Sequence, residues 1–341
     1  MSELVPKSNE TYTNDPLEQT VATVVPIFFS IIVVTGFFGN CLVILVVCVN
    51  PQMRSSTTNL LIANLAVADL LFVVFCVPFT AADYMTRIWP FGLYWCRVVQ
   101  YLIVVTAFAS IYTLVLMSVD RFLAVVYPIT SRSIRTEKVT KITIVALWII
   151  ILIVSSPALY VHGIQEIVEV NETYVMCMYL ELDYISQSTY QICFVLSSYI
   201  IPLVVISGLY IRLIMRLWQA SNGGVRMSAE SRSGRKRVTR LVVVVVVAFA
   251  SLWFPIQTIL LLKSLGWETT TPFTVMLQII SQILAYTSSC INPLLYAFLS
   301  DNFRKAFDKA VHCSSRYNHY SSNIPIQRRL SHGGRTSSTT I

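Results

Sequence analysis

The side chains best placed to do chemistry are three ionisable residues inside long apolar stretches. Asp69 lies in the middle of one stretch, and Asp120 and Arg121 end another. A charge at the centre of a membrane-spanning helix costs on the order of 2.5–3.5 kcal/mol, so such residues are rare and usually functional. Asn40 and Asn292 lie at comparable depth. We expect Asp69 and the two asparagines to form a polar cluster around water or a small cation, with a purely structural helix-packing network as the alternative.

Patterns typical of catalysis or metal binding do not occur in the sequence. The four histidines lie outside the apolar stretches or at their ends, and they show no zinc-site spacing: His162, His312, His319 and His332. The 8 cysteines include no CxxC pair and are too sparse for a disulfide scaffold. We therefore expect neither an enzyme nor a cofactor, apart from an allosteric sodium ion.

The composition indicates a chain that is solvated mainly by lipid. Apolar residues make up 55% and charged residues only 12%, against about 25% charged in a soluble domain. Seven stretches are long enough to cross a bilayer, which takes about 20 residues. We expect an all-α membrane protein, a bundle of seven transmembrane helices with these spans: Val24–Val49, Thr58–Tyr84, Cys96–Val126, Ile142–Val161, Tyr190–Trp218, Val238–Ser264 and Phe273–Ser300.

The distribution of basic residues predicts the orientation. With the N-terminus outside, all Lys and Arg except Lys7, Arg87, Arg97 and Lys263 face the cytoplasm, so the net charge of +8 lines the inner face rather than a nucleic-acid site. Both glycosylation sequons, at Asn9 and Asn171, then lie outside. We expect an extracellular segment 1–23, a bundle 24–300 in the plasma membrane, and a cytoplasmic tail 301–341 with an amphipathic helix 302–311.

Prolines and cysteines add further expectations. Five prolines interrupt separate spans, which is typical of a bundle that encloses a cavity and can hinge: Pro78, Pro157, Pro202, Pro255 and Pro293. Cys96 and Cys177 both lie on the predicted outer side, where an oxidising compartment favours a disulfide. Cys313 follows the amphipathic segment, and it is a candidate for palmitoylation or a free thiol.

Several motifs in order make the chain, from about Gly39 to Phe307, similar to the rhodopsin-like G-protein-coupled receptors. They are Gly39-Asn40, Asn64 with Asp69, Cys96, Asp120-Arg121, Trp148, Pro202, Trp253-Phe254-Pro255 and Asn292-Pro293 with Tyr296. Within that family the chain resembles the insect allatostatin-A receptors and their galanin-receptor relatives. This resemblance rests on residues 75–85, 89–92, 99–108, 252–257 and 298–306.

The resemblance implies roles for individual residues. A sodium site is implied for Asp69, Ser110, Ser288 and Asn292. Activation and G-protein coupling are implied for Asp120, Arg121, Ile129, Pro202, Ile111, Phe249, Trp253, Tyr210, Asn292, Pro293 and Tyr296. Arg235 stands where some receptors carry an acid opposite Arg121, so we do not expect an ionic latch between those helices.

The same resemblance limits the class of ligand that the chain can bind. Ile103 occupies the position of the aspartate that binds monoamines, and Tyr286 that of the lysine that binds retinal, so both ligand classes are disfavoured. Helical spacing groups several side chains on faces that point into one cavity. We expect an apolar floor and a rim of neutral amides that bind an amidated peptide, with these candidates: Asp83, Trp89, Gln100, Ile103, Val104, Glu181, Asp183, Gln257, Gln278, Gln282 and Tyr286. For each glutamine, a contact between helices is the alternative.

The resemblance therefore implies a neuropeptide receptor for amidated allatostatin-A-type peptides, coupled to heterotrimeric G proteins of the Gi/o class. The Ser- and Thr-rich tail would contact a receptor kinase and arrestin. A receptor for another galanin-like or other neuropeptide is the first alternative. An ion channel or transporter is a second, and a membrane enzyme a third, although Asp69 alone is charged deep in a span.

Overall fold

The computed structural model describes residues 16–86, 88–169, 172–180, 186–222, 229–267, 271–299 and 303–305. In those residues it contains one hairpin and eleven α-helices, besides a 3₁₀ turn at Thr130–Arg132, a π-helical turn at Leu196–Ile200 and helical residues 303–305. In chain order they are α1 (Pro16–Val49), α2 (Pro51–Arg54), α3 (Thr57–Phe75), α4 (Val77–Met85), α5 (Gly92–Val126), α6 (Glu137–Val154), α7 (Ala158–Val161), β1 (His162–Glu169), β2 (Glu172–Tyr179), α8 (Gln187–Val195), α9 (Ile201–Asn222), α10 (Ala229–Ser264) and α11 (Pro272–Leu299).

Seven helical spans in the described residues are long and apolar enough to cross a membrane, so the predicted bundle is confirmed. They are Gln19–Val49, Thr57–Met85, Gly92–Val126, Glu137–Val161, Gln187–Arg216, Val242–Ser264 and Pro272–Phe298. We call them the first to seventh spans. Every backbone polar group in lipid needs a partner, and a helix supplies those partners within itself.

Proline marks most of the breaks in the spans. Pro78 lies at the start of α4, where the second span breaks at Cys76. Pro157 caps α7 after the fourth span breaks at Ser155, and Pro202 follows a π-helical turn at Leu196–Ile200. Pro255 and Pro293 lie inside α10 and α11. Pro26 lies inside α1 as well and was not among the predicted interruptions.

The first span packs closely against its neighbours where it has glycine. A Cβ on Gly36 would lie 2.8 Å from Cγ2 of Val73 in the second span, and one on Gly39 would lie 3.0 Å from the ring of Pro293 in the seventh. Small residues let helix backbones approach each other in lipid, where packing rather than the hydrophobic effect holds helices together. Asn40 joins this contact, because its Nδ2 donates to the carbonyl oxygen of Ser289 at 2.8 Å.

Strands β1 and β2 form an antiparallel hairpin between the fourth and fifth spans. A disulfide joins Cys177 of β2 to Cys96 of the third span, as predicted, with 81 residues between the two cysteines in sequence. The hairpin is therefore tied across one end of the bundle. We call this end the disulfide end, and the opposite end, where Arg121 lies, the arginine end.

Several boundaries differ from the prediction. The first, third, fourth and fifth spans begin earlier, and α10 starts at Ala229 rather than Val238. The loop predicted at 219–237 is therefore largely helical, because a helix can continue past the apolar stretch that hydropathy detects. Of the predicted helix 302–311, residues 303–305 are helical, and the rest lies outside the described residues.

Candidate functional site

A cavity of about 390 Å³ lies at the disulfide end, within the size range of ligand pockets. The second, third, fifth, sixth and seventh spans and the hairpin contribute to its wall. Eight of the eleven predicted ligand-binding residues line it: Asp83, Trp89, Gln100, Ile103, Val104, Gln278, Gln282 and Tyr286. Glu181 and Asp183 lie outside the described residues.

Three of the predicted glutamines bond to a neighbouring span: Gln257, Gln278 and Gln282. Gln257 is only 3% exposed and does not line the cavity, and its position is that of the alternative stated for each glutamine, a contact between helices. The cavity face of α10 carries Trp253, Ile256 and Leu260, and Gln257 lies one position further round the helix. There its Nε2 donates to Oγ of Ser198 in the fifth span at 3.4 Å.

Gln282 lies in the cavity wall but is engaged in a chain of hydrogen bonds. Tyr84 of the second span donates its hydroxyl to Oε1 of Gln282 at 2.6 Å. The Nε2 of Gln282 donates to the hydroxyl of Tyr286 at 3.2 Å, and that hydroxyl lies 3.3 Å from Oγ1 of Thr80. These bonds join the second and seventh spans and fix the amide of Gln282.

Gln278 and Gln100 keep polar atoms for a ligand. Lys263 donates from Nζ to Oε1 of Gln278 at 2.8 Å, so the Nε2 of Gln278 remains as a donor. Gln100 makes only a 3.9 Å contact from Nε2 to the sulfur of Cys177. Asp83 is the one charged side chain among the described lining residues, and no described residue donates a hydrogen bond to it.

The structure adds cavity residues that the sequence analysis did not identify. Helix α8 contributes Gln187, Gln191 and Phe194, and these share one helix face at i, i+4 and i+7, a spacing that could have revealed them. His162, Tyr179 and Tyr190 line the same region. Their meeting depends on the hairpin and could not be read from local spacing.

The polar cluster around Asp69 is present, with one difference. Asp69 is 2% exposed, and its carboxylate accepts hydrogen bonds from Ser110 Oγ at 3.1 Å and Asn292 Nδ2 at 2.8 Å. Asn40 bonds instead to the backbone carbonyls of Gly36 and Ser289. Ser288 lines the same small cavity of about 10 Å³, which is room for about one water molecule.

Trp253 separates the two cavities, because its side chain lines both of them. Its Nε1 donates to Oγ of Ser288 at 2.9 Å, and its ring stacks on Phe249 with centroids 5.4 Å apart. Phe249 belongs to the same buried cluster as Ile111. Pro202 lies on the fifth span two residues after the end of the π-helical turn.

At the arginine end, Asp120 collects hydrogen bonds from four side chains. Thr57 and Thr58 each donate a hydroxyl to its carboxylate at 2.9 Å. Arg121 pairs with Asp120 and also donates to Thr58. Arg135, in the loop after the third span, donates from Nε to Oδ1 of Asp120 at 2.8 Å. Arg135 was not among the predicted residues, and no local spacing indicates that this loop folds back onto Asp120.

Three further predicted residues lie near this cluster. Tyr210 and Tyr296 are directed into the bundle, and their hydroxyls are buried with no hydrogen-bond partner in the described residues. Tyr296 stacks on Phe303 with centroids 5.5 Å apart. Ile129 is 86% exposed, in the loop that carries Arg135. The side chain of Arg235, and the candidate modification sites Asn9, Asn171 and Cys313, lie outside the described residues.

Comparison with known proteins agrees with this architecture. Residues 39–296 match the family profile described as 7 transmembrane receptor (rhodopsin family). The allatostatin-A receptor of Bombyx mori is 56% identical over 318 residues, which is 93% of this chain and 88% of that protein. Galanin receptor 2a of Danio rerio is 36% identical over 86% of this chain and 80% of its own length. Human galanin receptor type 1 is 34% identical over 85% of this chain and 82% of its own length.

The chain therefore belongs to the rhodopsin family of seven-transmembrane receptors, the class A G-protein-coupled receptors. Within that family it is a neuropeptide receptor similar to the allatostatin-A and galanin receptors. It is a multi-pass membrane protein. This is a family of receptors and not of enzymes, which leaves the channel, transporter and enzyme alternatives without support.

Proposed function

We propose that this receptor binds amidated allatostatin-A-type peptides in the 390 Å³ cavity and activates heterotrimeric G proteins of the Gi/o class at the arginine end. The name and the 56% identity of the Bombyx mori relative support the peptide class. The disulfide end would face outward and the arginine end the cytoplasm, as the basic residues predict.

The observation that carries the ligand proposal is the charge of the cavity wall. No described lining residue is cationic, and the one acid is Asp83. A free C-terminal carboxylate would therefore be repelled by Asp83, and Lys263, which does not line the cavity, already donates to Gln278. A carboxamide is neutral, and it can both accept a hydrogen bond from Gln278 and donate one to an oxygen of the wall.

Competition binding with one peptide in two forms tests this proposal. The amidated form should bind at least about tenfold more tightly than the free acid, because a lost hydrogen bond to a charged or buried partner costs about 1.4 kcal/mol or more. An amidated peptide of scrambled sequence is the control. Equal affinity of the two forms would contradict amide recognition.

A different galanin-like peptide is the second candidate, and the galanin receptors at 34–36% identity support it. A screen of amidated neuropeptides on transfected cells, read by nucleotide exchange, separates the two. Activation by galanin-like peptides without activation by allatostatin-A-type peptides would favour the second candidate.

The cytoplasmic half of the proposal assigns coupling to Arg121. Asp120 would hold Arg121 in the resting receptor, and a freed Arg121 would face the G protein, with Ile129 as an apolar contact. Arg121→Ala should abolish peptide-stimulated nucleotide exchange at unchanged surface expression and peptide binding. Lys141→Ala, at an exposed site paired only with Glu137, is the matched control. Exchange that persists in Arg121→Ala would contradict the assignment.

The cluster around Asp69 would hold sodium. Carboxylate and hydroxyl oxygens suit a hard cation, and Asp69, Ser110 and Ser288 supply them around a space for about one small occupant. Bound sodium would neutralise the buried charge of Asp69.

The proposal also includes partners and modifications outside the bundle. The tail would recruit a receptor kinase and arrestin, and membrane lipid would surround the spans. Asn9 and Asn171 would carry glycans, and Cys313 would carry palmitate.

A further inference from the structure

His162 lies in the wall of the ligand cavity and has no part in the proposal above. It is the first residue of β1, directly after the short helix α7. Its ring packs edge-on against two tyrosines: Tyr179 of β2 at 5.7 Å between centroids and Tyr190 of α8 at 5.8 Å. All three rings contribute to the cavity wall.

Three constraints hold His162 in place. It is paired with Tyr179 across the hairpin, and Cys177, two residues before Tyr179, is bonded to Cys96 of the third span. Arg97 donates from Nε to the backbone carbonyl oxygen of His162 at 3.2 Å. The position of the ring relative to the third span is therefore fixed by a covalent bond, a strand pair and a hydrogen bond.

The hydrogen bond of the ring determines which nitrogen carries the proton. Nδ1 of His162 lies 3.0 Å from the carbonyl oxygen of Ala158. A carbonyl oxygen can only accept, so Nδ1 must be the donor. In the neutral ring the lone pair then lies on Nε2, and none of the residues that the structure describes donates a hydrogen bond to that atom.

The surroundings keep the ring neutral near physiological pH. Burial lowers the pKa of His162 below its ordinary value of 6.5 and outweighs the opposing effect of the hydrogen bond to the Ala158 carbonyl. The polar side chains that pack against the ring are Tyr179 from β2 and Tyr190 from α8, and the charged Arg97 of the third span contacts the backbone carbonyl of His162. Asp83 is the one charged residue among the described lining residues.

We propose that His162 is a specificity-determining residue whose Nε2 accepts a hydrogen bond from the terminal carboxamide N–H of the bound peptide. This inference rests on the proposed function and adds the residue that would read the amide. A free acid has no N–H to donate, and its oxygen lone pairs would face the lone pair of Nε2. A protonated ring would reverse this preference, because an imidazolium donates to a carboxylate.

Competition binding on membranes from about pH 7.5 to about pH 5 tests the inference, with one peptide in its amidated and free-acid forms. In the wild-type receptor the amide-over-acid ratio should fall as the pH is lowered, because His162 gains a proton. His162→Phe keeps an aromatic ring but has no acceptor, so the ratio should drop about tenfold at pH 7.5 and should depend less steeply on pH than in the wild type, the remaining dependence coming from Asp83. His162→Gln offers a carbonyl acceptor that does not titrate, so it should retain the preference at pH 7.5 with the same reduced pH dependence.

The outcomes separate the two proposals. His332→Phe, the same change in the carboxy-terminal segment, should behave as wild type. A wild-type receptor that binds neither form overturns the proposed function and this inference together. An amide preference that is unchanged in His162→Phe overturns this inference alone. If His162→Phe fails to reach the surface, His162→Gln decides, since a pH dependence in this variant as steep as that of the wild type overturns the inference as well.

Discussion

Acidic side chains in the spans of this receptor meet contrasting surroundings. Asp69 is 2% exposed and accepts from Ser110 and Asn292, and Asp120 accepts from four side chains. Asp83 is partly buried in the cavity wall, and it receives no hydrogen bond from a described residue. Because an unpaired charge away from water is unfavourable, Asp83 is the acid that a ligand would satisfy.

At the residue scale we therefore predict that Asp83 contributes to the preference for basic peptides. Asp83→Asn should weaken binding of a peptide that carries an arginine by about tenfold, with little effect on the same peptide carrying citrulline. Competition binding at two salt concentrations measures the affinities of the arginine peptide and the citrulline peptide. Glu166→Gln, an exposed acid on β1, is the matched control. Equal losses for the two peptides would indicate a structural effect of the substitution.

At the element scale, interruptions in the helices determine which side chains meet. The second span breaks at Cys76, and the segment after the break carries Asp83 and Tyr84 into the cavity wall. The fourth span ends in the short helix α7, which delivers His162 to the start of the hairpin. In the fifth span a π-helical turn precedes Pro202 and includes Ser198, the partner of Gln257.

The loop after the third span is the element with the most direct tether to the coupling site. Arg135 binds Asp120 at 2.8 Å, and six residues earlier the same loop exposes Ile129. Arg135→Ala should release the loop, so peptide-stimulated nucleotide exchange should fall several-fold while peptide affinity stays unchanged. Arg132→Ala, an exposed arginine of the same loop, is the control. Full exchange in Arg135→Ala at matched expression would contradict a positioning role.

At the scale of the whole molecule, a continuous column connects the two ends. The ligand cavity ends at Trp253, which also lines the small polar cavity that contains Asp69 and Asn292. Below Trp253, Phe249 and Tyr296 lie in the largest buried cluster. A change in the position of Trp253 would therefore act on both cavities, because a packed core transmits displacement.

This column has a direction only if the two ends face opposite sides of the membrane. We predict that an epitope placed at Thr11 is detected on intact cells, and that one placed within residues 223–228 is detected only after permeabilisation. Detection of both epitopes in permeabilised cells shows that each is intact. Staining of both in intact cells would rule out the proposed topology and the assignment of ligand and G-protein ends.

The amino-acid sequence alone determined the membrane bundle and much of its polar interior. Seven long apolar stretches are incompatible with a soluble protein. Because helices supply the hydrogen bonds of their own backbone groups, local composition decides the fold class. Asp69, Cys96 and most cavity candidates followed from position along a span, and Cys177 from its place in a segment predicted outside. These features are local, or they depend on helical spacing.

The tertiary structure decided which polar groups face each other. Whether a glutamine lines the cavity depends on one position of helix rotation, since Ile256 lines it and Gln257 does not. Arg135 and His162 gain their partners only when a loop or a hairpin folds back over the bundle. Such contacts join residues distant in sequence, so their physical basis is the packing of whole elements rather than any pattern along the chain.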